Sequence, residues 1–140
     1  MPLIVEMLDP DLPPPARNRE GDAAMDVRAP RTIRVVPGAT EKVGLGFKLE
    51  LPEGHCALVI ERSGHAADLS LVSIGPLVDQ NYRGEVHAIL HNAGTSEISF
   101  SRGDRIAQLL VVAYWDGEPM AGEVRETARG SAGIGSSGNG

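Results

Sequence analysis

Cysteine is nearly absent from this chain, where Cys56 stands alone. One thiol can make no intrachain disulfide and has no second cysteine for a thiolate metal site, which fits a reducing compartment and a small buried role. Aromatic residues are also scarce, at 4% of 140, and no basic cluster interleaves with them. Lys+Arg number 13 against Asp+Glu 19, a net charge of −6. That balance argues against a nucleic-acid backbone as partner and leaves any anionic ligand to be met by local positive charge. Long apolar runs are missing too. The segment MPLIVEMLDP is interrupted by Glu6 and carries no basic region, so neither a secretory signal nor a membrane span is expected, and the reading is a soluble cytoplasmic protein.

Glycine and proline are plentiful, at 17 and 10, and they punctuate short apolar segments. The length suits one domain with a real core. Residues 3–8 read as a first strand, and DPDLPPPARNREGDAA (9–24), with four prolines, reads as an exposed loop. Val43, Leu45, Phe47, Leu49 and Leu51 alternate with polar or small residues, the period-two signature of one half-buried strand. Further strands are expected at 55–62, 69–74, 85–92 and 106–114. The sum is an all-β chain of about eight to ten short strands without a long helix, a jelly-roll-like barrel or sandwich.

The most informative run is PLVDQNYRGEV (76–86). Leu77 and Val78 deliver a strand whose end carries Asp79, and Gln80 and Asn81 tolerate turn geometry, so the run is expected to form a hairpin returning through the strand at 85–92. A carboxylate on a rigid strand end suits a general base or a metal partner, and equally a turn cap. Tyr82 suits a pocket wall or an ordinary amphipathic position. Asp26, between Met25 and Val27, needs a counter-charge, either an arginine or a cation. Arg62-Ser63-Gly64 ends a strand with a guanidinium, a hydroxyl and a backbone N–H that can cradle a phosphate, or that make a routine turn. Gln108, set in an apolar run, is an edge residue or a ligand contact. His87 and His91 lie roughly 13 Å apart along a strand and cannot share one ion; no histidine is assigned a metal. The tail 128–140 is glycine- and serine-rich behind Arg129, flexible by composition and suited to close approach to phosphate oxygens.

Five stretches, in order and spacing, resemble the motifs of the homotrimeric dUTPase family: GDAAMDVRAP (21–30), ERSGHAA (61–67), PLVDQNYRGEV (76–86), RGDRIAQLLV (102–111) and RGSAGIGSSG (129–138). The resemblance implies the dUTPase jelly roll over residues 1–127, with 128–140 an arm closing over an active site shared between three subunits. It implies hydrolysis of dUTP to dUMP and pyrophosphate. Asp79 would deprotonate a water that attacks the α-phosphorus, and Asp26 would hold Mg²⁺ through its bound waters. Arg62, Ser63, Gly64, Gln108 and Arg129 would clamp the triphosphate. Tyr82 would reject a ribose 2′-hydroxyl, backbone near Gly84 would read the uracil edge, and Gly133, Ile134, Gly135 and Ser136 would belong to the closing arm.

The chain departs from the family pattern at several points. Ile134 stands where an aromatic commonly stacks on uracil, a contact worth about 1–3 kcal/mol, so Ile134→Phe is expected to lower KM for dUTP. Pro76 and Ala132 replace glycines, Glu61 replaces a proline and His65 a leucine. A glutamate required by the related dCTP deaminases falls at Ile89, which argues against deamination. The competing class is a nucleotide-binding regulatory module with weak or no turnover.

Overall fold

The computed structural model describes residues 2–133, which form eleven strands and one helix. β1 (Ile4–Met7) pairs with β5 (Phe47–Glu50), and β3 (Ile33–Val35) pairs with β10 (Ile98–Phe100). A three-stranded sheet runs β4 (Thr40–Gly44), β9 (His87–Asn92), β7 (Leu71–Ser73). The sheet that matters most for function has the order β2 (Met25–Arg28), β11 (Arg105–Ala113), β6 (His55–Ile60), β8 (Leu77–Val78), antiparallel throughout. Inward residues of these sheets, among them Ile33, Leu45, Phe47, Leu71, Leu90, Ile106 and Leu109, are fully buried and make one core. The all-β sandwich expected from composition is the fold observed.

Three local expectations are corrected. The alternating run at 42–51 is two strands, because Gly46 adopts φ +80° and turns the chain from β4 into β5, which belong to different sheets. Alternation survives the break, since Leu45 and Phe47 flank Val86: Leu45 N–H donates to Val86 O at 2.8 Å and Val86 N–H to Phe47 O at 2.9 Å. The Glu85 carboxylate accepts the Gly46 N–H at 2.9 Å and lies against Gly44, where an added Cβ would come within 2.7 Å of it. The second acid of the 76–86 run is thereby a structural lock on this switch.

The expected hairpin at 76–92 does not form a ladder of its own. β8 pairs with β6, and β9 pairs with β4 and β7, so the turn at 79–82 carries the chain from one sheet to another. Finally, Ser63 and Gly64 do not lie in a loop. They open α1 (Ser63–Leu69), a seven-residue helix with no buried residue, which Ser70 ends at φ 53°. Its lack of an apolar stripe explains why periodicity gave no sign of it.

Candidate active site: two half-sites

β11 lies between β2 and β6, and the ladder sets Gln108 opposite Asp26 on one side and Ile60 on the other. One strand register therefore gathers residues from three of the motifs. Arg62 follows β6 in extended geometry (φ −75°, ψ 142°) as the residue ahead of α1. Its Nε lies 3.4 Å from Asp26 Oδ1, while Arg105 Nε lies 3.4 Å from Asp26 Oδ2. The Asp26 side chain is only 12% exposed, so two guanidiniums balance a nearly buried carboxylate. Of the two partners weighed for Asp26 from sequence, the arginine is found, and it is doubled. Gln108 donates from Nε2 to Glu61 O at 3.1 Å, and the Glu61 carboxylate accepts the Ser73 N–H at 3.0 Å. Glu61 thus points into β7 rather than toward Arg62.

Asp26, Arg62, Ser63, Gly64 and Gln108 line one open cavity of about 380 Å³ together with Asn18 and Asp22. Ser63 and Gly64 form the first turn of α1, with no capping side chain and no acid there. First-turn N–H groups have no intrahelical acceptor and favour negative charge. Guanidinium, hydroxyl, amide and free N–H groups converge here in a set of donors suited to phosphate oxygens.

Asp79 and Tyr82 lie elsewhere, in a second cavity of about 200 Å³. Its floor comes from residues ahead of Asp79, Gly75 to Val78, and its far wall from His87 and Ile89 on β9. Sequence reasoning looked for the base-reading surface after Asp79 and missed this wall. The Tyr82 hydroxyl donates to Glu85 O at 2.8 Å, which lays the ring over Gly84; a Cβ at Gly84 would come within 2.7 Å of the ring carbon bearing the hydroxyl. Ile89 adds an apolar side chain to that wall.

The turn that carries Asp79 is held by side chains. Gln80 Oε1 accepts both the Gly54 N–H at 2.7 Å and the Tyr114 hydroxyl at 3.0 Å, tying the turn to the start of β6 and the end of β11. Arg83 donates to Gln80 O at 2.8 Å, and Tyr82 N–H to Asp79 O at 3.1 Å. Gln80 was read from sequence only as a turn former.

The two cavities share no lining residue. The register Ala57↔Val78 puts Asp79 beside Cys56, and Arg62 is six residues further along an extended strand, about 20 Å. Asp79 and Arg62 therefore do not face each other within one copy of the chain. Arg129 joins neither group: it is exposed, with Nε donating to Ala132 O at 2.6 Å. Gly133 is exposed as well, and Ile134, Gly135 and Ser136 lie outside the described residues.

A β-sandwich that pairs a phosphate-type donor cleft with a small tyrosine-walled cavity bearing one carboxylate belongs, as a class, with nucleotide-handling proteins. The family model described as dUTPase matches residues 11–138. The deoxyuridine 5′-triphosphate nucleotidohydrolase of Mycolicibacterium gilvum (strain PYR-GCK) is 41% identical, over 97% of this chain and 94% of its own. That of Corynebacterium efficiens is 43% identical, over 95% and 76%. Among solved structures, the Staphylococcus bacteriophage 80alpha dUTPase with dUPNHPP superposes with a TM-score of 0.89 at 25% identity, covering 98% of each chain. A mutant dUTPase from phage phi11 of S. aureus, described as revealing the coordination of a structural Mg(II) ion, gives 0.77 at 22% identity, over 90% and 98%. The chain belongs to the dUTPase family. It is an enzyme of that family, a hydrolase of dUTP, and the regulatory-module alternative is not favoured.

Proposed function

We propose that this chain hydrolyses dUTP to dUMP and pyrophosphate with the nucleoside in the Asp79–Tyr82 cavity and the triphosphate in the Arg62 cleft of a neighbouring copy. The observation that carries the reading is Asp79, fixed at the end of β8 on the rim of a cavity whose size and walls suit one deoxynucleoside. Its carboxylate orients a water toward the α-phosphorus and takes its proton. Tyr82, pinned through Glu85 O, leaves no room at the sugar for a 2′-hydroxyl. Backbone groups of residues 75–78 and near Gly84 read the uracil edge.

In the cleft, Arg62, Ser63, Gly64 and Gln108 position the phosphates and meet the charge that develops as pyrophosphate leaves. Arg129 and the residues from Gly133 through Ile134 and Gly135 to Ser136 close over them as an arm. Both Asp26 oxygens already face guanidiniums, and no group of three His, Cys, Asp or Glu side chains among the described residues could hold a metal. The donor set therefore fits Mg²⁺ only as an ion that keeps its waters, travels with the triphosphate and touches Asp26 through them. When bound it supplies charge neutralisation on the phosphate oxygens.

The separation of about 20 Å between Asp79 and Arg62 along the strand supports a homotrimer with shared active sites. So does the segment after β11, where Trp115, Met120 and Val124 are 73%, 91% and 95% exposed, apolar surface that a second copy would cover. No described helix is long and apolar enough to cross a membrane, and a lone cysteine fits action in the reducing cytoplasm. The test is pyrophosphate release from dUTP, dTTP, dCTP and UTP, with Mg²⁺ and with a chelator. Turnover confined to dUTP and lost with the chelator is expected; equal turnover of UTP or dCTP overturns the assignment.

A further inference from the structure

Adjoining the triphosphate cleft at Arg62, an open cavity of about 460 Å³ is lined by Arg28, Arg62, Arg105 and His65, together with Phe100 and Asp104. The β2–β11 register sets Arg28 directly opposite Arg105, and like charges facing across an antiparallel ladder repel. Asp26 supplies its single negative charge to both Arg105 and Arg62. Arg28 has no such partner: it donates to Gly103 O at 3.2 Å and enters no ion pair among the described residues. The one acid in the lining, Asp104, already accepts the Ser101 N–H at 2.7 Å. His65 sits edge-on to Phe100, ring centroids 5.3 Å apart, and its Nδ1 is shielded from solvent without a hydrogen-bond partner. In a chain of net charge −6, three guanidiniums here meet two carboxylates, Asp26 and Asp104, which leaves net positive charge beside an imidazole whose Nδ1 has no partner.

The geometry points to a second oxyanion site here, taking a phosphate-class anion between Arg28, Arg62 and His65. Arg62 is common to this cavity and to the triphosphate cleft, so an anion here shares, without displacing substrate, the guanidinium that positions it. If the proposed function holds, the anion released beside Arg62 is pyrophosphate, and the site acts as a product-retention or product-inhibition point. The burial of His65, and the Arg62 charge beside it, hold its imidazole below the ordinary histidine range; a bound anion works against the second of these causes and not the first.

The assembled protein, first filled with a nonhydrolysable dUTP analogue, is titrated by calorimetry with inorganic pyrophosphate and separately with orthophosphate. Saturable binding to the filled protein is expected, weakened at least tenfold by Arg28→Ala, with kcat/KM for dUTP at low product unchanged within twofold. Arg28→Gln, which keeps the stem, repeats the test if the alanine variant is misfolded by circular dichroism. His65→Leu is expected to weaken binding severalfold. Preference for pyrophosphate identifies the product as the source, and equal binding of orthophosphate a general oxyanion site. Absence of binding to the filled protein, as when an acidic segment of another copy occupies the cavity, overturns the inference, as does binding indifferent to Arg28. Binding is read without turnover, so failure of dUTP hydrolysis and failure of this site are separate results.

Discussion

The two half-sites are built in opposite ways. The phosphate cleft is held by backbone: β2, β11 and β6 are paired through Gln108, and Asp26, Arg62 and Gln108 follow from that register. The Asp79 half is held by side chains. β8 has two residues and one pairing partner, and beyond it the turn depends on hydrogen bonds from or to Gln80, Tyr82 and Arg83. A ladder spreads the loss of any one contact over its neighbours, whereas a side-chain clasp has no reserve. Substitutions in the clasp are therefore expected to displace Asp79 and act on kcat, while those in the cleft leave the ladder in place and act on substrate affinity, with a stability cost only where they unpair the nearly buried Asp26.

The largest effect is expected from Asp79→Asn, which keeps shape and removes the base. Loss of a general base costs about 10²–10⁴-fold in rate, while calorimetric affinity for a nonhydrolysable dUTP analogue is retained. Residual turnover within tenfold of the parent would make the residue a turn cap after all. Next is Gly84→Ala. The added methyl group meets the Tyr82 ring and tilts the wall on which the sugar rests; a misplacement of about 1 Å costs on the order of 10²-fold. The fall in kcat/KM for dUTP should come with a gain in relative turnover of UTP, and unaltered discrimination would show that Tyr82 does not gate the 2′ position.

Gln80→Ala is smaller and sharpens the contrast most directly. Removing the shared acceptor leaves the Gly54 N–H and the Tyr114 hydroxyl without it, each bond being worth about 0.5–1.5 kcal/mol. Loosening the turn beneath Asp79 is expected to lower kcat about tenfold, the equivalent of roughly 1.4 kcal/mol, with KM nearly constant. Gln80→Glu keeps an oxygen acceptor and should recover most of the rate. A proportional rise in KM would place Gln80 in substrate binding rather than in the clasp.

The same contrast explains what could be read from sequence. Residue types were legible in both halves because Asp79 and Arg62 follow strand ends beside a turn, while Asp26 and Gln108 stand out as polar residues between apolar neighbours inside strands. Strands with alternating burial, such as β9 and β6, were legible from local pattern as well. Gly46 was not, because its positive φ redirects the chain without disturbing the alternation of Leu45 and Phe47; two glycines at Gly44 and Gly46 were the available sign. The hairpin was misread because turn residues specify a reversal and say nothing of which sheet receives the next strand. The pairing of Asp26 with Arg105 as well as Arg62, and the reach of Gln80 to Gly54, depend on cross-strand register between segments far apart in sequence, which local pattern does not encode.

The smallest effect lies at His65, where the backbone-held half carries a group that sequence left unexplained. Burial, then the Arg62 charge, lower its pKa from the ordinary value, with Asp26 opposing. The unfolded chain therefore binds a proton on this residue more readily than the folded one, so stability is greater where the imidazole is neutral and falls as pH drops from the ordinary histidine value through the lowered folded one. Thermal melts between pH 7.5 and 5 should show a decline in the parent that is shallower in His65→Leu, because the leucine has no proton to gain. The group is partly exposed and solvent screens it, so the difference is expected to be a few degrees at most. Saturating pyrophosphate should flatten the parent's decline toward that of the variant, since an anion beside Arg28 and Arg62 cancels the repulsion that disfavours the imidazolium. Parallel pH profiles for parent and variant would mean that His65 is only a packed ring against Phe100.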